Sequence, residues 1–412
     1  MRYKLSHPTG RILGKIAIPG SKSEANRLLI LRHLYAPGAE LSYLSTSSDT
    51  AVLQEALSQM GKRTEIKAGE AGTAYRFLTA LLATTPGSWR LVGSARMEER
   101  PIAPLVEALR ALGARIRYLG KEGYPPLAIE GAQLQGGAVE VDGRLSSQYI
   151  SALMMIGPSL PAGLSLHIPG FSVSTPYIYL TAHLMRRLGL TVHITGYQIE
   201  IPTRPAAWDP PGRYAVEPDW SAASYWFAMA CLASRAELFL PGFRQHSLQG
   251  DSFVANLFAP LGVEAHFIGA GFRLRPGGSP HPPEEINLVH NPDLAQTLAV
   301  VYAARQWPVT IKGLQTLRHK ETDRLAALRN ELEKTGAQVE LGEDYLRLGR
   351  GCQSVAGCRF ETYGDHRMAM ALAPLALLGP IEIENPEVVG KSYGRFWDDL
   401  RQVRFEVSAV AP

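Results

Sequence analysis

Several short stretches of this chain place cations and hydroxyls where a polar or small-residue cluster gives way to an apolar run. In "PGSKSEANR", Ser23 and Arg27 are four residues apart and share a helix face, with Lys22 at the helix entry. "EAGTAYR" repeats that logic with Gly72, Thr73 and Arg76, and "RMEERP" sets Arg96 and Arg100 ahead of Pro101, which is positioned to start a helix. "LSSQY" supplies Ser146, Ser147 and Gln148, and "SVSTPY" supplies Ser174 and Tyr177. The densest charged segment is "RHKETDRL", where Lys320, Glu321, Asp323 and Arg324 fall at a helix start. Asp293 in "NPD", the Asp365–His366–Arg367 run in "GDHR", and Lys391 in a Gly/Ser turn complete the set. Helix starts expose unpaired N–H groups and the positive end of the helix dipole, so cations and hydroxyls there suit a phosphate or carboxylate. Each stretch has a plainer alternative: a serine cap with solvated cations, a surface ion pair of Arg96 or Arg100 with Glu98 or Glu99, or a solvated helix start.

The elements that would position these groups recur. An amphipathic helix ending at glycine and followed directly by a strand is legible at Gly61, Gly113, Gly189, Gly262 and Gly336. "FWDDLRQVRFEV" is a sixth copy without the glycine. Most copies are spaced by a little over seventy residues, the first by fewer. A second, apolar helix interleaves with the first and is opened by the polar stretches above. Six copies of a two-helix α/β unit follow, most simply arranged as two domains of three. The proline-dense "IPTRPAAWDPPGRYAVEPDW" reads as a linker or crossover, with a boundary near Arg213–Tyr214. The first strand, before Pro19, fits either domain. Two such domains facing each other would line a cleft with several helix N-termini, a trap for ligands carrying multiple negative charges.

Bulk properties narrow the class. The chain has 412 residues, 46% of them hydrophobic and 19% charged, the balance of a soluble globular protein with two or three domains. The longest apolar run, Met368 to Leu378, is short for a bilayer and holds Pro374. No signal-peptide core is visible at the start, so the cytoplasm is the expected compartment. The three cysteines, Cys231, Cys352 and Cys358, form no CxxC pair and suggest neither a disulfide framework nor a metal site. Arginines are scattered singly over a net charge of +4, which favours a small anionic ligand over nucleic acid.

In order along the chain, "PGSKSEANR", "AGTAYR", "RMEERP", "VDGRLSSQ", "HKETDR" and "GDHRMAM" closely resemble the EPSP synthase family, the 3-phosphoshikimate 1-carboxyvinyltransferases. The resemblance covers essentially the whole chain and implies a two-domain inverse α/β barrel of six βαβαββ repeats, three per domain. Residues 1–19 with 218–412 would form one domain and 20–217 the other, with the active site in the cleft and the crossings acting as a hinge. The implied reaction moves the enolpyruvyl group of phosphoenolpyruvate to the 5-hydroxyl of shikimate 3-phosphate in chorismate and aromatic amino-acid synthesis. It calls for no cofactor or metal, no nucleic acid and no membrane; a monomer is the family expectation.

Carried over by resemblance, shikimate 3-phosphate would contact Lys22, Ser23, Arg27, Ser146, Ser147, Gln148, Ser174, Tyr177, Asp293 and Lys320. Phosphoenolpyruvate would contact Lys22, Gly72, Arg100, Gln148, Arg324, Arg367 and Lys391. Asp293 is the candidate base on the attacking hydroxyl and Glu321 the candidate acid at the methylene carbon, while Lys22 is a third group able to carry a proton. Glu70, Phe77, Thr316 and Gly364 depart from the commonest family pattern. Two rivals are an enolpyruvyl transferase acting on UDP-N-acetylglucosamine and an RNA 3′-phosphate cyclase-like enzyme. The first typically carries a reactive cysteine in its N-terminal domain, yet all cysteines here lie beyond residue 230. The second would bring basic clusters and stacking aromatics that this chain lacks.

Overall fold

The computed structural model describes residues 1–144, 146–169 and 174–410. The chain divides into two compact units: an inserted unit, Gly20–Val216, and a terminal unit made of Met1–Pro19 and the chain from Glu217 onward. The strand Arg213–Ala215 pairs in parallel with Glu40–Ser42, so the proline-dense segment is strapped onto the inserted unit before the chain leaves it. Trp208 adds to that strap, donating its indole N–H to the Leu188 carbonyl and packing edge-on against Tyr35. The boundary therefore falls just past this strand and not at Arg213–Tyr214. Glu217 belongs with the terminal unit, where its buried carboxylate accepts from Trp220 Nε1, the Arg244 N–H and Ser247 Oγ.

One sheet pattern recurs. In the inserted unit Glu65–Lys67 runs parallel to Gly87–Val92, which pairs antiparallel with Leu127–Gly131, itself antiparallel to Arg115–Tyr118. Gly137–Glu140, Leu164–His167, Gln198–Ile201 and His193–Thr195 repeat the order, as do Glu285–Asn287, Val309–Lys312, Leu346–Arg350 and Gln338–Leu341 in the terminal unit. These three copies are contiguous βαβαββ segments. The other three are not alike. The N-terminal strand Arg11–Lys15 completes one sheet by pairing in parallel with Arg235–Pro241. Arg2–Ser6 completes another by inserting antiparallel between Ile381–Glu384 and Glu406–Val410. The remaining sheet is only the parallel pair Glu40–Ser42 and Arg213–Ala215. It lacks the hairpin, which explains the short first spacing of the glycines.

The two helix types differ in burial for reasons visible in their residues. Ser48–Gln59 buries a single stripe, Thr50, Leu53 and Ala56, and leaves the rest to solvent. Trp220–Leu232 and Ala295–Ala304 are buried almost all round, with alanines letting neighbouring backbones approach. Within the inserted unit the inner helices Lys22–Tyr35, Gly72–Thr84 and Ser147–Ile156 pack on one another. In the terminal unit Trp220–Leu232, Ala295–Ala304 and His366–Leu372 do the same. Helices inside and sheets outside is the inverse of the usual α/β layering.

The five glycines after the outer helices all adopt left-handed backbone, with φ between 80° and 99°. In the sixth copy that place is held by Arg404 at φ 74°, an exposed side chain in a conformation that costs an L-residue energy. No described helix is long and apolar enough to cross a membrane.

Candidate functional site

In the terminal unit, the predicted residues converge on one carboxylate. Asp293 lies in a turn of 3-10 helix, Pro292–Leu294, that leads into Ala295–Ala304. Its Oδ1 accepts from an Arg324 guanidinium nitrogen at 2.8 Å and lies 3.4 Å from Lys320 Nζ. Its Oδ2 accepts from Arg367 at 3.1 Å. Arg324 is almost wholly buried and divides its donors among three carboxylates: Asp293, Asp365 at 2.7 Å and Glu321 at 2.8 Å. Arg367 also comes within 3.5 Å of the Tyr225 hydroxyl, whose pKa burial pushes up to about 12. Lys391 donates to the Gly364 carbonyl at 2.9 Å, one residue ahead of Asp365.

The electrostatics follow from this packing. Burial alone would raise the pKa of Asp293, but Arg367, Lys320 and Arg324 together hold it well below the usual carboxylate range. Burial lowers the pKa of Arg324, and Asp365, Glu321 and Asp293 more than reverse that. Lys320 is pushed down, mainly by burial and then by its cationic neighbours, despite Asp293 and Glu321. Lys320 and Glu321 lie ahead of the helix Arg324–Glu333 and not on it, because Asp323 is the N-cap and accepts from the Leu325 and Ala326 N–H groups. Off the helix axis, Lys320 reaches Asp293.

The inserted unit gathers a second cationic set. Lys22 opens the helix Lys22–Tyr35 and pairs with Asp49 at 3.0 Å. Arg27 is buried, donating to Thr181 Oγ1 at 2.7 Å, the Ser23 carbonyl at 2.9 Å and Ser151 Oγ at 3.0 Å. Its guanidinium lies over the Phe77 and Tyr177 rings, and burial lowers its pKa to about 10, still charged at neutral pH. Arg76 donates to Gln148 Oε1 at 2.9 Å and lies over Tyr149, which ties the helix Gly72–Thr84 to Ser147–Ile156. Ser146 caps the latter by accepting from the Gln148 N–H, and Ser147 is buried in its first turn. Ser174, at φ 56°, receives the Tyr177 N–H on its carbonyl. Arg100 is buried against Gly72 so closely that a Cβ there would stand 2.5 Å from a guanidinium nitrogen. Arg96 instead pairs with Glu99 at the surface, the plain alternative for that arginine.

Sequence reasoning passed over Asp49, Ser151, Thr181 and Tyr225, which contact the candidate side chains Lys22, Arg27 and Arg367 from distant parts of the chain. Arg76 and Asp365 stand inside the motifs but were not among the candidate ligand contacts. Their signal was spacing: one turn into a helix for Arg76, and the N-cap place for Asp365, which accepts from the Arg367 N–H.

A sequence model of the family described as EPSP synthase (3-phosphoshikimate 1-carboxyvinyltransferase) matches residues 62–400. A Bacteroides fragilis protein named 3-phosphoshikimate 1-carboxyvinyltransferase is 45% identical over 412 residues, covering 99% of each chain. The chain belongs to the EPSP synthase family. An Aeromonas salmonicida protein of the same name is 35% identical, covering 96% of this chain and 97% of its own. Among solved structures, EPSP synthase from Acinetobacter baumannii superposes with a TM-score of 0.79 at 22% identity, over 99% of this chain and 100% of that one. The enolpyruvyl transferase NikO from Streptomyces tendae gives 0.77 at 18% identity, over 100% and 99%. Both likenesses speak to fold, and that fold is the two-domain α/β architecture of enolpyruvyl transferases. Two of this EPSP synthase family member's departures have a local account. Phe77 supplies a ring beneath Arg27, and Gly364 has φ 66°, a backbone that glycine and asparagine both tolerate.

Proposed function

We propose that this chain transfers the enolpyruvyl group of phosphoenolpyruvate to the 5-hydroxyl of shikimate 3-phosphate, releasing phosphate, and that it works as a cytoplasmic monomer. One observation carries the reading: a carboxylate, Asp293, held by Arg324, Arg367 and Lys320, with a second carboxylate, Glu321, on the same Arg324. Two acids within one cationic cluster match a reaction that removes a proton from a hydroxyl, adds one to a methylene carbon and expels a phosphate.

In this mechanism Asp293 accepts the 5-hydroxyl proton as the oxygen attacks C2 of phosphoenolpyruvate, and Glu321 donates a proton to C3. The tetrahedral adduct then breaks its C2–phosphate bond while C3 gives a proton back, leaving the enol ether and phosphate. Lys22, Arg100, Arg324, Arg367 and Lys391 neutralise the departing phosphate and the carboxylate, with Gly72 and Gln148 completing the phosphoenolpyruvate contacts. Shikimate 3-phosphate is held by Lys22, Ser23, Arg27, Ser146, Ser147, Gln148, Ser174, Tyr177, Asp293 and Lys320. Once anionic ligands share the cations, Asp293 is released from part of its ion pairing and recovers basicity. The deciding assay is phosphate release from phosphoenolpyruvate on adding shikimate 3-phosphate. No release, with UDP-N-acetylglucosamine accepted instead, overturns the assignment.

A further inference from the structure

One buried carboxylate beside the cluster has no part in the mechanism above. Asp251 is 2% exposed and lies in the turn after "HSLQG". One of its oxygens accepts from Ser221 Oγ, in the first turn of the helix Trp220–Leu232. The other accepts from Asn291 Nδ2 at 3.3 Å. Asn291 is itself buried and immediately precedes Pro292–Leu294, the turn that carries Asp293. Asp251 thus ties the start of one inner helix to the turn feeding another.

Its charge environment is equally specific. The charged groups facing Asp251 are Asp293 and Arg367. Those acting most strongly on Asp293 are Arg367, Lys320, Arg324 and Glu321. Burial first, and Asp293 second, push the Asp251 pKa up against the opposing pull of Arg367, Ser221 and Asn291, while Asp293 is held down. Burying a carboxylate costs several kcal/mol that a neutral side chain would avoid, so its placement needs a reason beyond packing.

We propose that Asp251 is a positioning residue for proton transfer: held by Ser221, it fixes through Asn291 the turn that presents Asp293. This rests on the enolpyruvyl-transfer reading, with Asp293 as base. Asp251 touches no reacting atom.

The test begins with turnover by the parent chain, given phosphoenolpyruvate and shikimate 3-phosphate. Its absence would remove the enolpyruvyl-transfer reading itself. Given turnover, kcat and the KM of each substrate are measured for Asp251→Asn and Asn291→Ala. Asp251→Asn loses the carboxylate to which Ser221 and Asn291 donate, so kcat falls by about tenfold while KM values stay within about twofold. Asn291→Ala loses the same tie from its other end, so kcat again falls by about tenfold and KM values stay within about twofold. A kcat within about twofold of the parent in folded Asp251→Asn overturns the proposal, because a merely structural carboxylate would lower the urea midpoint and leave turnover alone. Should Asp251→Asn fail to fold, Asn291→Ala decides. A kcat within about twofold of the parent overturns the proposal, and the tenfold loss at constant KM supports it.

Discussion

Substituting Gly72 by alanine tests how closely Arg100 is fitted to its helix. Gly72 lies in the first turn of Gly72–Thr84, a conformation alanine adopts freely, so backbone strain contributes nothing. The added Cβ would meet Arg100 guanidinium atoms at 2.5, 2.8 and 2.9 Å. Regaining an ordinary 3.4 Å contact moves the guanidinium about 0.9 Å, the difference between 3.4 and 2.5. If Arg100 holds phosphoenolpyruvate as proposed, a charge-assisted bond of about 2.8 Å stretched by that much is no longer a hydrogen bond. Its loss costs roughly 1.5–3 kcal/mol, or about 10- to 150-fold in affinity. Initial rates with phosphoenolpyruvate varied at saturating shikimate 3-phosphate should show that rise in KM, with the KM of shikimate 3-phosphate unchanged. The same substitution in an Arg100→Ala background should add almost nothing, since the clash has no target there. An unchanged KM for phosphoenolpyruvate, or an equal effect in both backgrounds, refutes the reasoning.

Glu321→Gln should cut kcat by about a hundredfold or more while shikimate 3-phosphate binding, followed by calorimetry, weakens only slightly; equal losses would sink its role as acid. Asp293 has a folded pKa below its unfolded value. Its contribution to stability is therefore complete above about pH 4 and is lost as pH falls through the folded pKa. Urea midpoints measured from neutral to acid pH should accordingly fall for the parent below about pH 4. Asp293→Asn should be less stable at neutral pH and flatter in that window, and a parallel pair of curves would contradict the assignment. Arg404→Gly should raise the urea midpoint, with about 1 kcal/mol of left-handed strain removed at an exposed position; a lower midpoint would mean the arginine makes contacts that matter.

Sequence pattern exposed the repeat because a helix that must end abruptly before a strand is cheapest to end at glycine, five times over. Arg404 hid the same backbone in the sixth copy, since nothing in an arginine announces a positive φ. The cationic stretches were legible one by one because each sits at the start of a helix. Their partners were not. Asp49, Ser151 and Thr181 hold Lys22 and Arg27 from other helices, and single serines, threonines and aspartates at such places look like ordinary caps or surface groups. Asp251, in "LQGDSF", reads as a turn residue until its burial is known. The pairing of Arg2–Ser6 with strands near the other end of the chain was equally invisible, because five residues carry no record of which edge they will join.

That pairing orders the way the chain is made. All strands of the inserted unit lie between Glu40 and Ala215, so on a ribosome this unit has its full complement of partners when barely half the chain has been synthesised. Arg2–Ser6 must wait for Ile381–Glu384 and Glu406–Val410, and Arg11–Lys15 for Arg235–Pro241. Arg2–Ser6, the first strand translated, is thus among the last to find its neighbours, leaving its edges unpaired until elongation is nearly complete. The closure entropy grows only slowly with this separation, so the burden is one of time more than of final stability. Nascent chains halted after residue 216 should protect the inserted unit from protease while leaving the first fifteen residues open to it.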